Sequence, residues 1–373
     1  MKPVWLDALD KTPALVIDID AVVARARGLA ALAEETGCRA LYSIKALPLL
    51  PVLEAVRPYV SGFSVSSLYE AQWAAEILQG QGELHLTSPG LIAAHARVLA
   101  RLATHISANS RYQYRWLSTL TGCQLGMRLN PEHSVVQDAR YNPCRPASKL
   151  GCAATEWPEQ ACRGLHIHNA HGLCDHQSLA ATVAQAQTLL GAHWTELQWL
   201  NLGGGYLWHR QQDQAAARAW LKALCQTLPA VYIEPGLALV GDAGYLVGSV
   251  LDTFVRDGCH LAVLDTSVNH VPEVFEYQTP LPLRYPESSG ATPVLWAGGT
   301  CLAGDLLGET LLPAPPDLGQ RVVFGQAGAY SLVKAQRFNG HPLPSIYVWS
   351  QDRLECVYED SYQDVRRLWG GRL

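Results

Sequence analysis

The chain has 373 residues, 49% of them hydrophobic and 16% charged, which supplies a sizeable core and excludes intrinsic disorder. Lys and Arg number 28 against 33 Asp and Glu, a formal net charge of −5 without any basic run, so no nucleic-acid partner is expected. No stretch reaches the roughly 18 uncharged apolar residues of a membrane span. The length suggests roughly two or three domains, or one large barrel and a partner.

Near the start, acids at Asp7, Asp10, Asp18 and Asp20 break any apolar core that a secretory signal needs. From about residue 20 onward, short β-like runs alternate with helical stretches. The runs are LYSIK (41–45), GFSVS (62–66), ELHLT (83–87), THIS (104–107), QLGMRLN (124–130), GLHIH (164–168), LQWLNL (197–202) and VYIE (231–234). Helical spacing covers Ala21–Thr36, Leu68–Leu78, Gln177–Leu190 and Ala215–Leu228, with Gly37, Gly80 and Gly191 as terminators. Eight such repeats predict a parallel (β/α)8 barrel. The rival, a doubly wound sheet, would carry its Gly-rich turn after the first strand, and here it does not.

The 131–149 loop is long and bears prolines, as loops at the rim of a site often do. After about residue 243 the texture changes to strand-like runs, YLVGSVLDTF, HLAVLDT, TPVLWAG, RVVFGQAG and LPSIYVW, separated by Pro and Gly clusters. That pattern predicts a small all-β domain. Ten cysteines lie scattered without a CxxC pair and read as reduced thiols of a cytoplasmic protein.

Four features fall at the C-terminal ends of the expected barrel strands, where barrel enzymes place their chemistry. Lys45, in YSIKA, loses hydration in an apolar setting and becomes a candidate Schiff-base nucleophile; a snorkelling strand-end lysine is the plainer reading. Gly203, Gly204 and Gly205 let backbone N–H groups approach an anion, or form an ordinary tight turn. Glu234, in YIEPG, needs a cationic or protonated partner if buried, and an arginine would serve equally. His168, in GLHIH, offers a flat ring; of His166 and His168 only one is assigned to the barrel interior. His166, His168, His171, Cys174, Asp175 and His176 match no closed zinc spacing, so no metal is expected. An amine for an aldehyde, an acid for a pyridine nitrogen, glycines for a phosphate and a face for a ring are together what pyridoxal 5′-phosphate requires.

The series YSIKA, GLHIH, NLGGGY, YIEPG, GTCLAGD and GAYSLVKAQRFNG resembles the fold-type III pyridoxal-phosphate decarboxylases, from about Thr12 to Trp349. RLNP, YNPCRPASKLG, GGTCLAGD and FNGHPLPSIYVW are most similar to the carboxynorspermidine (carboxyspermidine) decarboxylases within it. The resemblance implies an alanine-racemase-like barrel over 20–243, and a β-domain of 244–373 that takes in residues 1–19. It implies a homodimer with shared active sites. Lys45 would hold the cofactor, His168 stack on its ring, Glu234 pair with its nitrogen, and Gly203–Gly205 with Tyr330 bind its phosphate. Cys301 would donate a proton to the partner subunit's substrate, and Glu273 and Asp305 would bind substrate. A thiol suits proton delivery near neutrality.

The chain departs from the pattern at Leu237, where relatives carry a charged residue after EPG, and at LCD (173–175) and AGGTC (297–301). The expectation is decarboxylation of a carboxynorspermidine- or carboxyspermidine-like substrate to an amine. Another diamino acid, or a non-catalytic cofactor-binding protein, stands as the alternative.

Overall fold

The computed structural model describes residues 2–120, 122–158 and 162–371. Two compact units emerge: Val23–Leu239, and the chain up to Val22 together with Val240 onward. The first strand, β1 (Ala14–Asp18), belongs to the second unit.

The first unit holds a closed, all-parallel barrel. Its strands are β2 (Arg39–Ser43), β3 (Gly62–Val65), β4 (Glu83–Thr87), β5 (His105–Ala108), β6 (Gln124–Arg128), β7 (Gly164–His166), β8 (Trp199–Asn201) and β9 (Val231–Ile233). β9 returns to β2, with Arg39 opposite Tyr232. Trp199 crosses the interior and is 1% exposed. Its ring fits because β6 and β7 face it with glycines: a Cβ on Gly164 would lie 2.0 Å from Trp199 Cε2, and one on Gly126 2.5 Å from Cζ2. Below the mouth, His85 stacks on His105 with ring centroids 4.1 Å apart, and Trp199 meets His105 edge-on at 5.3 Å. The barrel is thus a packed core, not a pore.

Helices over Ile19–Thr36, Leu68–Leu78, His176–Leu190 and Gln214–Thr227 lie within two residues of the spans expected from spacing. Side-chain caps set their starts: Ser67 Oγ accepts from Glu70 N–H, Asp175 Oδ1 from Gln177 N–H and Asp213 Oδ1 from Ala216 N–H. Two readings of the strand ends are corrected. LYSIK is not strand throughout: β2 stops at Ser43 and Lys45 rides on a single helical turn, Ile44–Ala46. β7 likewise stops at His166, short of His168.

The second unit is built on a nine-stranded sheet. Its remaining strands are β10 (Gly244–Arg256), β11 (Cys259–Leu264), β12 (Leu283–Tyr285), β13 (Thr292–Ala297), β14 (Leu306–Leu312), β15 (Arg321–Phe324), β16 (Ser345–Ser350) and β17 (Arg353–Tyr358). The main path runs β14-β13-β11-β10-β1-β16-β17, with β15 joining β10 to β12. β1 lies antiparallel to β10 (Ala14 opposite Val247) and parallel to β16 (Ala14 opposite Ser345). Trp5, Leu6, Val16, Val247, Val323 and Tyr347 form its core.

Candidate active site

Backbone hydrogen bonds between strand ends bring four separate segments together. β2 and β9 are neighbours, and at the end of β2 Ser43 N–H donates to Pro235 O at 3.0 Å, tying the Lys45 turn to the Glu-Pro-Gly segment. Glu234 N–H donates to Gly203 O at 2.8 Å, tying that segment to the triple-glycine turn. Gly204 N–H donates to His168 Nδ1 at 3.0 Å, which adds the fourth segment. Lys45, His168 and Glu234 all line one cavity of about 550 Å3, inside the usual range for small-molecule sites.

The glycine turn departs from the simple anion cradle. Gly203 N–H donates to Asn201 Oδ1 at 2.9 Å and Gly204 N–H to His168, so two of its three donors are used internally. A Cβ on Gly204 would lie 2.5 Å from Glu234 O, and one on Gly205, whose φ is +90°, would lie 2.1 Å from Ala170 O. Close approach of three strands is the visible reason for glycine here.

Lys45 opens onto the cavity yet lies deep among protein atoms. Burial lowers its pKa, the Glu234 charge opposes that, and the Arg128 charge reinforces it. Burial also holds His166 and His168 well below the ordinary histidine value, with Arg128 and Lys45 acting in the same direction. Both imidazoles are therefore neutral. Glu234 is 5% exposed. Its near partners are Asn201 Nδ2, 2.8 Å from Oε1, and His166 Nε2, 4.0 Å from Oε2. Among the described residues no arginine lies within ion-pair distance of it, although Arg128 in the same cavity acts on it through charge.

Both His166 and His168 line the cavity, which corrects the assignment of only one of them to the interior. Residues two apart on a strand share a face, and the end of β7 at His166 lets the chain carry His168 back to the glycine turn. Sequence reasoning also passed over Arg128, Thr87 and Ser64, which line the same cavity. Arg128 carried a usable signal: it is a charge at the buried end of β6, as Lys45 and Glu234 are charges just past the ends of β2 and β9. Thr87 Oγ1 lies 3.0 Å from His166 Nδ1 and fixes that ring.

The 131–149 loop forms one wall, through Arg140, Tyr141, Asn142, Arg145 and Lys149. Ser134 Oγ donates to Asn169 O and Asn109 Nδ2 to Lys149 O, which anchors both ends.

The remaining expected residues belong to the second unit. Cys301 is exposed, and its N–H donates to Asn339 Oδ1 at 2.9 Å. Asp305 accepts from Val268 N–H, Ser267 Oγ, Thr300 N–H and Thr300 Oγ1. Three of these donors reach Oδ2 and one Oδ1, so Asp305 organises the loop that carries Cys301. Glu273 Oε1 accepts from Ser331 Oγ at 2.7 Å, and burial raises its pKa. Tyr330, at φ +68°, caps the helix Ser331–Lys334.

No protein-family model matches the chain. It is 33% identical over 347 residues to carboxyaminopropylagmatine decarboxylase of Synechocystis sp., covering 88% of each chain. It is 30% identical over 380 residues to carboxynorspermidine/carboxyspermidine decarboxylase of Campylobacter jejuni, covering 95% of this chain and 97% of that one. The chain belongs to the carboxynorspermidine/carboxyspermidine decarboxylase family. Its fold matches the crystal structure of the C. jejuni carboxynorspermidine decarboxylase complexed with norspermidine, with a TM-score of 0.86 and 27% identity over 95% of this chain and 99% of that one. Members of this family are fold-type III decarboxylases, carboxy-lyases that depend on pyridoxal phosphate. The cavity's donor set fits that group: a deep amine, a neutral ring pinned at its edge, and a buried carboxylate.

Proposed function

We propose that this decarboxylase acts on a carboxylated polyamine of the carboxynorspermidine, carboxyspermidine or carboxyaminopropylagmatine kind, releasing carbon dioxide and the shorter amine. The observation that carries the reading is the meeting of Lys45, His168 and Glu234 in one cavity of a chain whose relatives act on such substrates.

When bound, pyridoxal phosphate supplies an aldehyde for the amine and a ring that accepts the electrons left by departing carbon dioxide. Lys45 would hold the cofactor, and burial, which lowers its pKa, raises the share of its neutral, nucleophilic form. Glu234 would pair with the ring nitrogen, and His168 would lie against the ring. Gly203–Gly205 and Tyr330 would receive the phosphate, with two of the turn's three N–H donors already spent on Asn201 and His168. Arg128, Ser64 and Thr87 give the site fixed polar groups. Cys301 would supply a proton to the substrate in the partner subunit, Asp305 would hold its loop, and Glu273 would receive a substrate ammonium.

Shared active sites in a homodimer fit an exposed Cys301 on a unit that also exposes Leu251, Phe254, Val255, Leu306 and Leu311. Ten thiols with no disulfide among the described residues fit a reducing, cytoplasmic setting.

A second reading takes a substrate with another carboxylate, such as diaminopimelate. Arg140, Arg145 and Lys149 on the cavity wall favour it, as does Leu237 where a charged residue was expected. The test is direct. Purified enzyme is incubated with carboxynorspermidine, carboxyspermidine, carboxyaminopropylagmatine, diaminopimelate, ornithine and lysine, and amine and carbon dioxide are measured. Turnover confined to diaminopimelate, or to compounds lacking a distal amine, overturns the polyamine assignment.

A further inference from the structure

The Glu234 carboxylate is gripped by a side chain that no sequence signal singled out. Asn201, the last residue of β8, is fully buried. Its Oδ1 accepts from Gly203 N–H at 2.9 Å. Its Nδ2 donates to Glu234 Oε1 at 2.8 Å and stands 3.3 Å from His85 Nδ1. A side-chain amide has one acceptor oxygen and two N–H donors. With the oxygen facing Gly203, both donors are assigned, and His85 Nδ1 must be the unprotonated nitrogen. His85 is itself immobilised between rings, with His105 stacked at 4.1 Å and Tyr232 at 4.3 Å between centroids. Burial keeps both imidazoles neutral, His85 far below the ordinary histidine range and His105 at about 4. The amide has no alternative orientation that leaves these partners satisfied.

We propose that Asn201, locked by His85, is a positioning residue that holds Glu234 with Oε1 occupied and Oε2 presented to the cavity. This rests on Glu234 being the partner of the cofactor's ring nitrogen. The other charged or titratable groups around Glu234 are Lys45 beyond β2, Arg128 closing β6, and His166 and His168 at the end of β7. Lys45 and Arg128 both attract the carboxylate. An oxygen free to swing would turn toward whichever cation lay nearer. The hydrogen bond from Asn201 removes that freedom and leaves Oε2 beside His166 Nε2, which has no hydrogen-bond partner of its own.

The test uses Asn201→Asp, Asn201→Ala, His85→Leu and His85→Gln, with Glu234→Gln as reference. Two readouts besides turnover are taken: the carbon-13 NMR titration of the Glu234 carboxyl in cofactor-free protein, and the pH dependence of the bound cofactor's absorption band. Asn201→Asp places a second acid against Oε1, so the Glu234 titration and the band midpoint should rise by about one pH unit or more. In the same variant kcat at pH 7 should fall ~10–100-fold with KM nearly unchanged, recovering toward alkaline pH. Asn201→Ala and His85→Leu should move both readouts in the same direction by less, and His85→Gln, which keeps an acceptor, should restore them. Variants that lose only thermal stability, with titration and band as in the parent, overturn the proposal. If Glu234→Gln itself leaves band and kcat unchanged, the assignment of Glu234 fails. If Glu234→Gln is crippled while Asn201→Asp and Asn201→Ala behave as the parent, only the role of Asn201 fails.

Discussion

His168 receives its hydrogen bond from Gly204, at 3.0 Å from the backbone N–H to Nδ1. The same glycine sits so close to β9 that any side chain would strike Glu234 O. One residue therefore sets both the ring and the acid, although neither is its neighbour in sequence.

Gly204→Ala should accordingly damage cofactor binding more than the fold. The added methyl must displace the Glu-Pro-Gly segment or tilt the turn, an overpacking cost of about 1–3 kcal/mol. We expect cofactor affinity to fall at least ~10-fold, equivalent to about 1.4 kcal/mol, read by absorbance titration of cofactor-free protein. Gly80→Ala, where a Cβ meets nothing within 4 Å, is the control, with only the strain of its φ of +77° and no change in cofactor affinity. Equal loss in both variants would show that the turn has no special link to the site.

Lys45 should betray its surroundings without any cofactor. Burial lowers its pKa, so its reaction with acetic anhydride should reach half-maximal rate at a lower pH than that of exposed lysines. The signs of two variants follow from charge. Glu234→Gln removes a stabilising anion and should move the midpoint down, while Arg128→Gln removes a repelling cation and should move it up. Mass spectrometry of the Lys45 peptide across pH 6–11 checks both. Shifts of the same sign would contradict the geometry.

How much of this was legible in sequence depended on period and punctuation. The barrel could be read because each strand is a short apolar run bounded by glycine or a cap, and the main helices carry Ser67, Asp175 and Asp213 at their starts. β14 could not. Leu306–Leu312 alternates buried and exposed leucines and carries Gly308 and Glu309 at its centre, so no continuous apolar signal exists. β17, Arg353–Tyr358, is exposed over most of its length and has the composition of a loop. Lys45, His168 and Glu234 were visible because strand ends in a barrel converge. Asn201 was not, since its role comes from an amide orientation that only three-dimensional neighbours define.

Acid should weaken the folded protein well before its carboxylates are fully protonated. His105 and His270 are held at about 4, mainly by burial, against about 6.5 in an unfolded chain. Between those values the unfolded state binds protons that the folded state refuses, so stability is lost as pH falls from about 6.5 toward 4. Each such histidine adds a slope of at most about 1.4 kcal/mol per pH unit. Thermal midpoints measured from pH 7 to 4.5 should drop steadily, and His105→Phe should flatten the drop. An unchanged slope in that variant would locate the acid lability elsewhere.

Leu237 offers the most informative substitution. It follows the Glu-Pro-Gly segment, begins the helix Leu237–Val240, and its Cδ2 lies 3.8 Å from where a Gly172 Cβ would be. Gly172 in turn follows His171, which lines the cavity. The position is half-buried, so Leu237→Glu introduces a charge that remains partly hydrated beside the route to the cavity. A carboxylate paired with a substrate ammonium in such a setting contributes about 1–2 kcal/mol, less than a fully buried pair. KM for a triamine-type substrate should therefore fall roughly 5–30-fold with kcat little altered, while KM for diaminopimelate rises. Steady-state kinetics on both substrates decide the matter. If KM for diaminopimelate falls as well, Leu237 is not what sets the charge preference, and the cationic wall of Arg145 and Lys149 becomes the residue pair to mutate next.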